Sequence, residues 1–194
     1  MLSVREPNKG RNSLSNLNEK QLGKIFRDHG FSDFKLINAG DVVVSEWVRM
    51  KCMFGCSHYG KNGCCPPHVP SVLECRAFFS EYKTAVIFHF EKAVDKPEER
   101  FQWSKEVNEK LLKVERDVFL AGYHKAFLLF MDECRLCAKC AQSRLDCKNP
   151  KNARPSIESF AVDVFATVRK QGFPITVLSN PGQAMNRYAI LMVE

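Results

Sequence analysis

Residues 126–147, AFLLFMDECRLCAKCAQSRLDC, carry a short, wholly apolar run from Ala126 to Met131 straight into four closely spaced cysteines. A run of that length and composition is a buried strand rather than a helix. The cysteines Cys134, Cys137, Cys140 and Cys147 form a C-x2-C-x2-C-x6-C set. Thiolates at this spacing curl around a small polynuclear object while backbone amides point at their sulfurs, which is what a [4Fe-4S] cubane requires. A lone zinc ion usually takes two ligands from one knuckle and two from a distant one, so a third cysteine at the same short spacing suits it less. The bacterial ferredoxin run is C-x2-C-x2-C-x3-C-P, and here the fourth cysteine lies six residues on, with Asn149-Pro150 behind it.

Outward from this segment, strand and helix patterns alternate. Residues 17–30 are predicted helical, with Leu17, Leu22, Ile25 and Phe26 on one side and Gly30 as the stop. Strands are expected at 33–38 and 42–50, joined by a turn at Ala39-Gly40-Asp41. A helix at 71–82 and a strand at 84–90 follow. Trp103, Val107, Leu111, Val114 and Val118 form one apolar helical stripe that Gly122 can end. Ile157, Phe160, Ala161, Val164, Phe165 and Val168 form another, between Ser156 as N-cap and Gly172 as stop. Residues 173–178 and 188–193 complete the set as strands. The fold class this predicts is α/β (α+β), a single mixed sheet layered with helices and bearing two cysteine-rich metal-binding loops. Residues 1–16 are expected to be a flexible arm and 17–194 a single domain.

A second cysteine-rich stretch, KCMFGCSHYGKNGCCPPH at 51–68, has glycines for tight turns and a stiff Pro66-Pro67 exit. Cys52, Cys56 and Cys65 are its candidate ligands. Side chains of adjacent residues diverge, so Cys64 and Cys65 are not expected to play equal parts. The remaining corner is either open to substrate or filled by Cys64, by Cys75 or by a histidine, His58 or His68. Cys75 falls within a predicted helix, where a buried inert thiol is the simpler reading.

The nine cysteines, without a secretory signal or an apolar run long enough to span a bilayer, point to a soluble, cytoplasmic chain with reduced thiols. The formal net charge of +7 invites a nucleic-acid reading. Two four-thiolate clusters would bring it to about +3, and no RNA-recognition signature, two-Cys, two-His finger or basic aromatic helix is present. Lys139, Arg144, Lys148, Lys151 and Arg154 crowd the second cysteine group, where positive charge would favour a reduced cluster.

The combination KC-x3-C-x2-YGK, CPP, FLAGYHKAF, C-x2-C-x2-C, CKNP-x3-RPSIES and NRYAILMVE resembles an uncharacterised bacterial and archaeal family described as predicted metal-binding proteins, a domain of unknown function. The resemblance covers nearly everything after about residue 30. It implies two metal or cluster sites, carried by Cys52, Cys56 and Cys65 and by Cys134, Cys137, Cys140 and Cys147, and no known reaction. The chain departs from the family at Cys64, usually not cysteine there, and at Ala161, where glycine is commoner. The expectation is an iron-sulfur protein transferring electrons to a redox partner protein through one or two [4Fe-4S] clusters. An open-site cluster enzyme acting on a small molecule and a zinc-stabilised interaction module are the rivals.

Overall fold

The apolar runs pair into one four-stranded sheet. The computed structural model describes residues 9–96, 98–180 and 182–194, with side chains from residue 19 onward. Its strands are β1 (Phe34–Asn38), β2 (Thr84–Lys92), β3 (Phe127–Leu129) and β4 (Met185–Met192), in the order β1-β2-β4-β3. The helices are α1 (Lys9–Asp28), α2 (Glu46–Gly55), α3 (Val72–Ser80), α4 (Glu99–Leu120) and α5 (Val164–Lys170). The α+β class and the single sheet layered with helices stand, but all three strand pairings are antiparallel, so the sheet is not mixed.

Both faces of the sheet are covered, and strand alternation divides the core in two. Val86, Phe88, Leu128, Ala189 and Leu191 face α1 and α4, whose Leu22, Phe26, Leu111, Val114 and Val118 meet them. Ala85, Ile87, Leu129, Ile190 and Met192 face Cys75 and Phe79 of α3 and Val168 of α5. Burial on both faces explains why β2 reads as a continuous apolar run despite antiparallel pairing. Helix α3 begins with a full capping box between Ser71 and Glu74. No helix among the described residues is long and apolar enough to cross a membrane.

The outer edge of β3 is closed by side chains rather than by another strand. Glu115 of α4 accepts from the Leu128 amide at 2.8 Å, and Asn108 bonds both the carbonyl and the amide of Met131, at 2.8 and 3.1 Å. Phe130 then bridges to Ser156, its amide donating to Pro155 O at 2.8 Å. These bonds satisfy a buried edge and fix the exit of β3, the point at which the chain enters Asp132, Glu133 and Cys134.

Four predicted elements differ from what forms. The strand expected at 42–50 is extended only as far as Val44, which bridges to Val162; Ser45 takes N-cap dihedrals and α2 begins. Helical geometry sets Val48 and Cys52 four residues apart on one face and lets Arg49 donate to the carbonyls of Pro70 and Ser159, so tertiary contacts override β-propensity. The expected turn at 39–41 is a short 3-10 segment, and β1 pairs with β2 instead of with a following hairpin strand. The helix expected from Ser156 is broken: a 3-10 turn (Glu158–Phe160) ends at Ala161 in the left-handed region, φ 58°, and α5 restarts with Asp163 as N-cap. Residues 173–178 form no strand, since Pro174 lacks a donor and the neighbours of β4 are already β2 and β3. Of the expected arm, residues 1–8 lie outside the described residues and 9–16 belong to α1.

Candidate metal centre

Two cavities open beside the exit of β3, and eight of the nine cysteines divide between them in a pattern that differs from their order in the chain. The first is about 170 Å³ and is lined by Cys52, Cys56 and Cys65, with Asp132, Glu133 and Glu158 in its walls. Helix α2 supplies Cys52 from its last turns and ends at Cys56. The second is about 20 Å³ and is lined by Cys134, Cys137, Cys140, Cys147 and also Cys64. Cys64, grouped by sequence with the first set, therefore turns to the second while its neighbour Cys65 turns to the first. Cys75 is fully buried in the core under the sheet, its Sγ 3.7 Å from Pro70 O, and takes no part in either cavity. His58 lines the first cavity; His68 lines neither.

Asn62 and Gly63 hold the two cysteine segments together. The Asn62 side chain accepts from the Cys64 amide at 2.9 Å and donates to Cys134 O at 2.8 Å, and it is buried. At Gly63 an added Cβ would stand 2.7 Å from Ser143 O and 2.8 Å from its carbonyl carbon. The backbones pack so closely there that only glycine fits. The sequence shows Asn62-Gly63 only as turn chemistry, and nothing local signals the partner 72 residues away.

Cys65 of the first cavity and Cys134 of the second are shifted in opposite directions. Burial pushes Cys65 up to about 12, against a bond from the Ser159 hydroxyl at 3.6 Å and assisted by Glu133, Cys52 and Cys56. Cys52 is raised too, first by burial and then by Cys56 and Glu158. Asp132 is raised by burial although Arg187 and Arg100 oppose it, and its Oδ2 is buried without a partner. Glu158 is exposed as a residue, but its carboxyl meets the crowded cavity wall, and that crowding, followed by the Asp132 carboxylate, raises it. In the second cavity Cys134 is drawn well below the ordinary thiol range, first by a hydrogen bond from Cys64 and then, against burial, by the amides of Leu136 and Arg154. Cys64 is correspondingly pushed up. The Gln142 amide donates to Cys140 Sγ at 3.4 Å.

Among the described residues, no three His, Cys, Asp or Glu side chains converge as a group that could hold one metal ion. The donor chemistry of the second cavity nonetheless fits a soft metal or an iron-sulfur cluster: five thiols, backbone amides aimed at sulfur, and no carboxylate in the walls. Its volume is that of about one water, so seating a cluster there spreads the thiols apart. The loop that would give way is exposed at Ala138, Lys139 and 144–146. The first cavity is larger and mixes thiols with hard oxygen donors, and the unpartnered Asp132 Oδ2 is one of them.

Of the five basic residues beside the second group, Arg154 is committed to the fold through paired bonds to the buried Glu115, and Arg144 donates to Pro150 O. Lys139, Lys148 and Lys151 are exposed. An open cleft of about 380 Å³ passes Cys137 and Cys140 and is edged by Lys61, Lys105 and Arg135. The segment 155–160, which sequence explains as a helix start, instead places Ser156, Glu158 and Ser159 on the first cavity.

The family model described as Predicted metal-binding protein (DUF2284) matches residues 35–193, a span that contains both cavities. No curated protein and no solved structure matches the chain.

Proposed function

The chain belongs to this family of predicted metal-binding proteins, and on that premise we propose that it is a cytoplasmic iron-sulfur protein that passes electrons to a redox partner. The observation that carries the reading is the set of five thiols lining the second cavity, drawn from two segments and served by backbone amides. Cys134, Cys137 and Cys140 hold the second centre, with Cys147 or Cys64 as the fourth ligand. Cys52, Cys56 and Cys65 hold the first. A [4Fe-4S] cluster, when bound, supplies a one-electron couple. The protein's part is to set its surroundings: amide donors and nearby cations favour the more negative, reduced form. Cys137 and Cys140 border the open cleft, which supports a second centre within reach of a partner protein.

Anaerobically purified protein should contain iron and acid-labile sulfide in about equal amounts, on the order of four of each per centre, and give an electron paramagnetic resonance signal on reduction. Zinc at about one equivalent per centre without sulfide would replace this reading with a zinc-stabilised module.

A second reading has its own observation. The first cavity has three thiols, room beyond them and an unpartnered carboxylate oxygen on Asp132. Three protein ligands leave one metal corner for a small molecule, as in open catalytic sites. On this reading a small-molecule substrate perturbs the spectrum of the first centre alone; a fourth protein ligand at that centre would exclude it.

A further inference from the structure

We propose that Cys64 is a ligand of the second centre and that Cys147 is its peripheral thiol, so that the adjacent residues Cys64 and Cys65 serve two different centres. The inference rests on the iron-sulfur reading above and deepens it.

Five thiols line a cavity for which a cubane needs four. Cys64 is the deepest of them, 6% exposed, while the other four are only half-buried. Its position is set on both sides: Asn62 ties its amide to the Cys134 carbonyl, and Gly63 is packed against the Ser143 backbone. A ligand held in place before the metal arrives loses little conformational freedom on binding. Cys147 is placed differently. It follows Leu145, 96% exposed, and Asp146, also exposed, and its amide reaches Arg144 O only at 3.4 Å. The spacing supports the same assignment. Three cysteines at C-x2-C-x2-C with the last corner supplied from a distant segment is the arrangement that two-cluster ferredoxins use, and the long x6 gap before Cys147 has no counterpart there.

The full chain and its Cys64→Ala, Cys64→Ser and Cys147→Ala variants, purified anaerobically, test this by iron, sulfide and electron paramagnetic resonance. Cys147→Ala is expected to keep the four-iron signal of the second centre, and Cys64→Ala to lose it or fall to a three-iron form. Cys64→Ser keeps the size of the side chain and guards against a folding defect. It should retain the thermal transition of the wild type while shifting the signal, as a changed ligand does and a packing residue does not. A Cys64→Ala or Cys64→Ser protein whose second-centre signal matches the wild type overturns the assignment. Wild type lacking iron and sulfide altogether removes the iron-sulfur reading itself, an outcome visible before any variant is compared.

Discussion

Cys65 and Cys134 line neighbouring cavities, yet burial pushes one thiol up to about 12 while the other is held down to about 6 by a hydrogen bond from Cys64 and by backbone amides. The difference comes from what each cavity is made of. The first is walled by Asp132, Glu133 and Glu158, which disfavour further negative charge. The second has no carboxylate in its wall, and the Arg144 guanidinium acts on Cys64 and Cys134 alike. Cys65 and Cys134 thus differ in how readily they lose a proton, Cys134 at the expense of its partner Cys64, which is pushed up in turn.

The strongest way to separate them is to delete one. Cys137→Ala should remove about half of the iron and sulfide, those of the second centre, and leave the first, because no thiol of the first cavity lines the second. In the wild type the two reduced centres should show mutual spin broadening, since one peptide bond of about 3.8 Å Cα to Cα links Cys64 to Cys65. The signal left in Cys137→Ala should be sharp. Loss of all iron in this variant would mean one joint centre, and the comparison would fail.

Proton competition comes next in size. A thiol must lose its proton to bind a metal, so a raised pKa weakens loading at neutral pH and a lowered one does not. Between pH 6 and 9, cobalt binding at the first centre, isolated in Cys137→Ala, should strengthen by up to about tenfold per pH unit for each proton displaced. At the second centre, isolated in Cys56→Ala, Cys134 gives up no proton above about 6 while Cys64 still must, so the slope per bound thiolate should be lower. Equal slopes per bound thiolate, read from the cobalt-thiolate absorption, would show that the cavity walls do not set the difference.

Gly63→Ala tests the junction. Its Cβ meets the Ser143 backbone at 2.7 Å, and overpacking of this kind costs about 1–3 kcal/mol. The melting temperature should fall and second-centre iron should drop with it, while the first centre keeps its metal. A variant as stable and as loaded as the wild type would show that the close approach is not needed.

The smallest effect belongs to Ala161, a buried non-glycine residue at φ 58° behind the Glu158 and Ser159 wall of the first cavity. Ala161→Gly relieves left-handed strain of about 1 kcal/mol, partly offset by the added freedom of the unfolded chain. A small rise in melting temperature is expected, with second-centre loading unchanged. A fall of more than a degree would show that the Ala161 methyl contributes more through packing than it costs in strain.

Much of the frame was legible in the residues. The stripe Trp103 to Val118 became α4, the apolar run after Ala126 became β3, and the helix expected at 71–82 became α3, because each depends on patterns within one or two turns of chain. The elements that differed are those whose partners lie far off. Val42 to Met50 has strand composition, yet Arg49 bonds to Pro70 and Ser159 and Val44 pairs with Val162. The helical stripe from Ile157 is interrupted because the segment must first bond to Phe130.

The same division runs through the cysteines. The sequence by itself determined that this chain has thiols in numbers and spacings suited to soft-metal chemistry, since C-x2-C-x2-C is a local geometry that a short loop can hold. Only the tertiary structure decided which thiols share a cavity. Adjacent side chains diverge, and whether Cys64 or Cys65 faces a given cavity depends on Asn62 reaching Cys134 and on Gly63 meeting Ser143, contacts that span more than 70 residues.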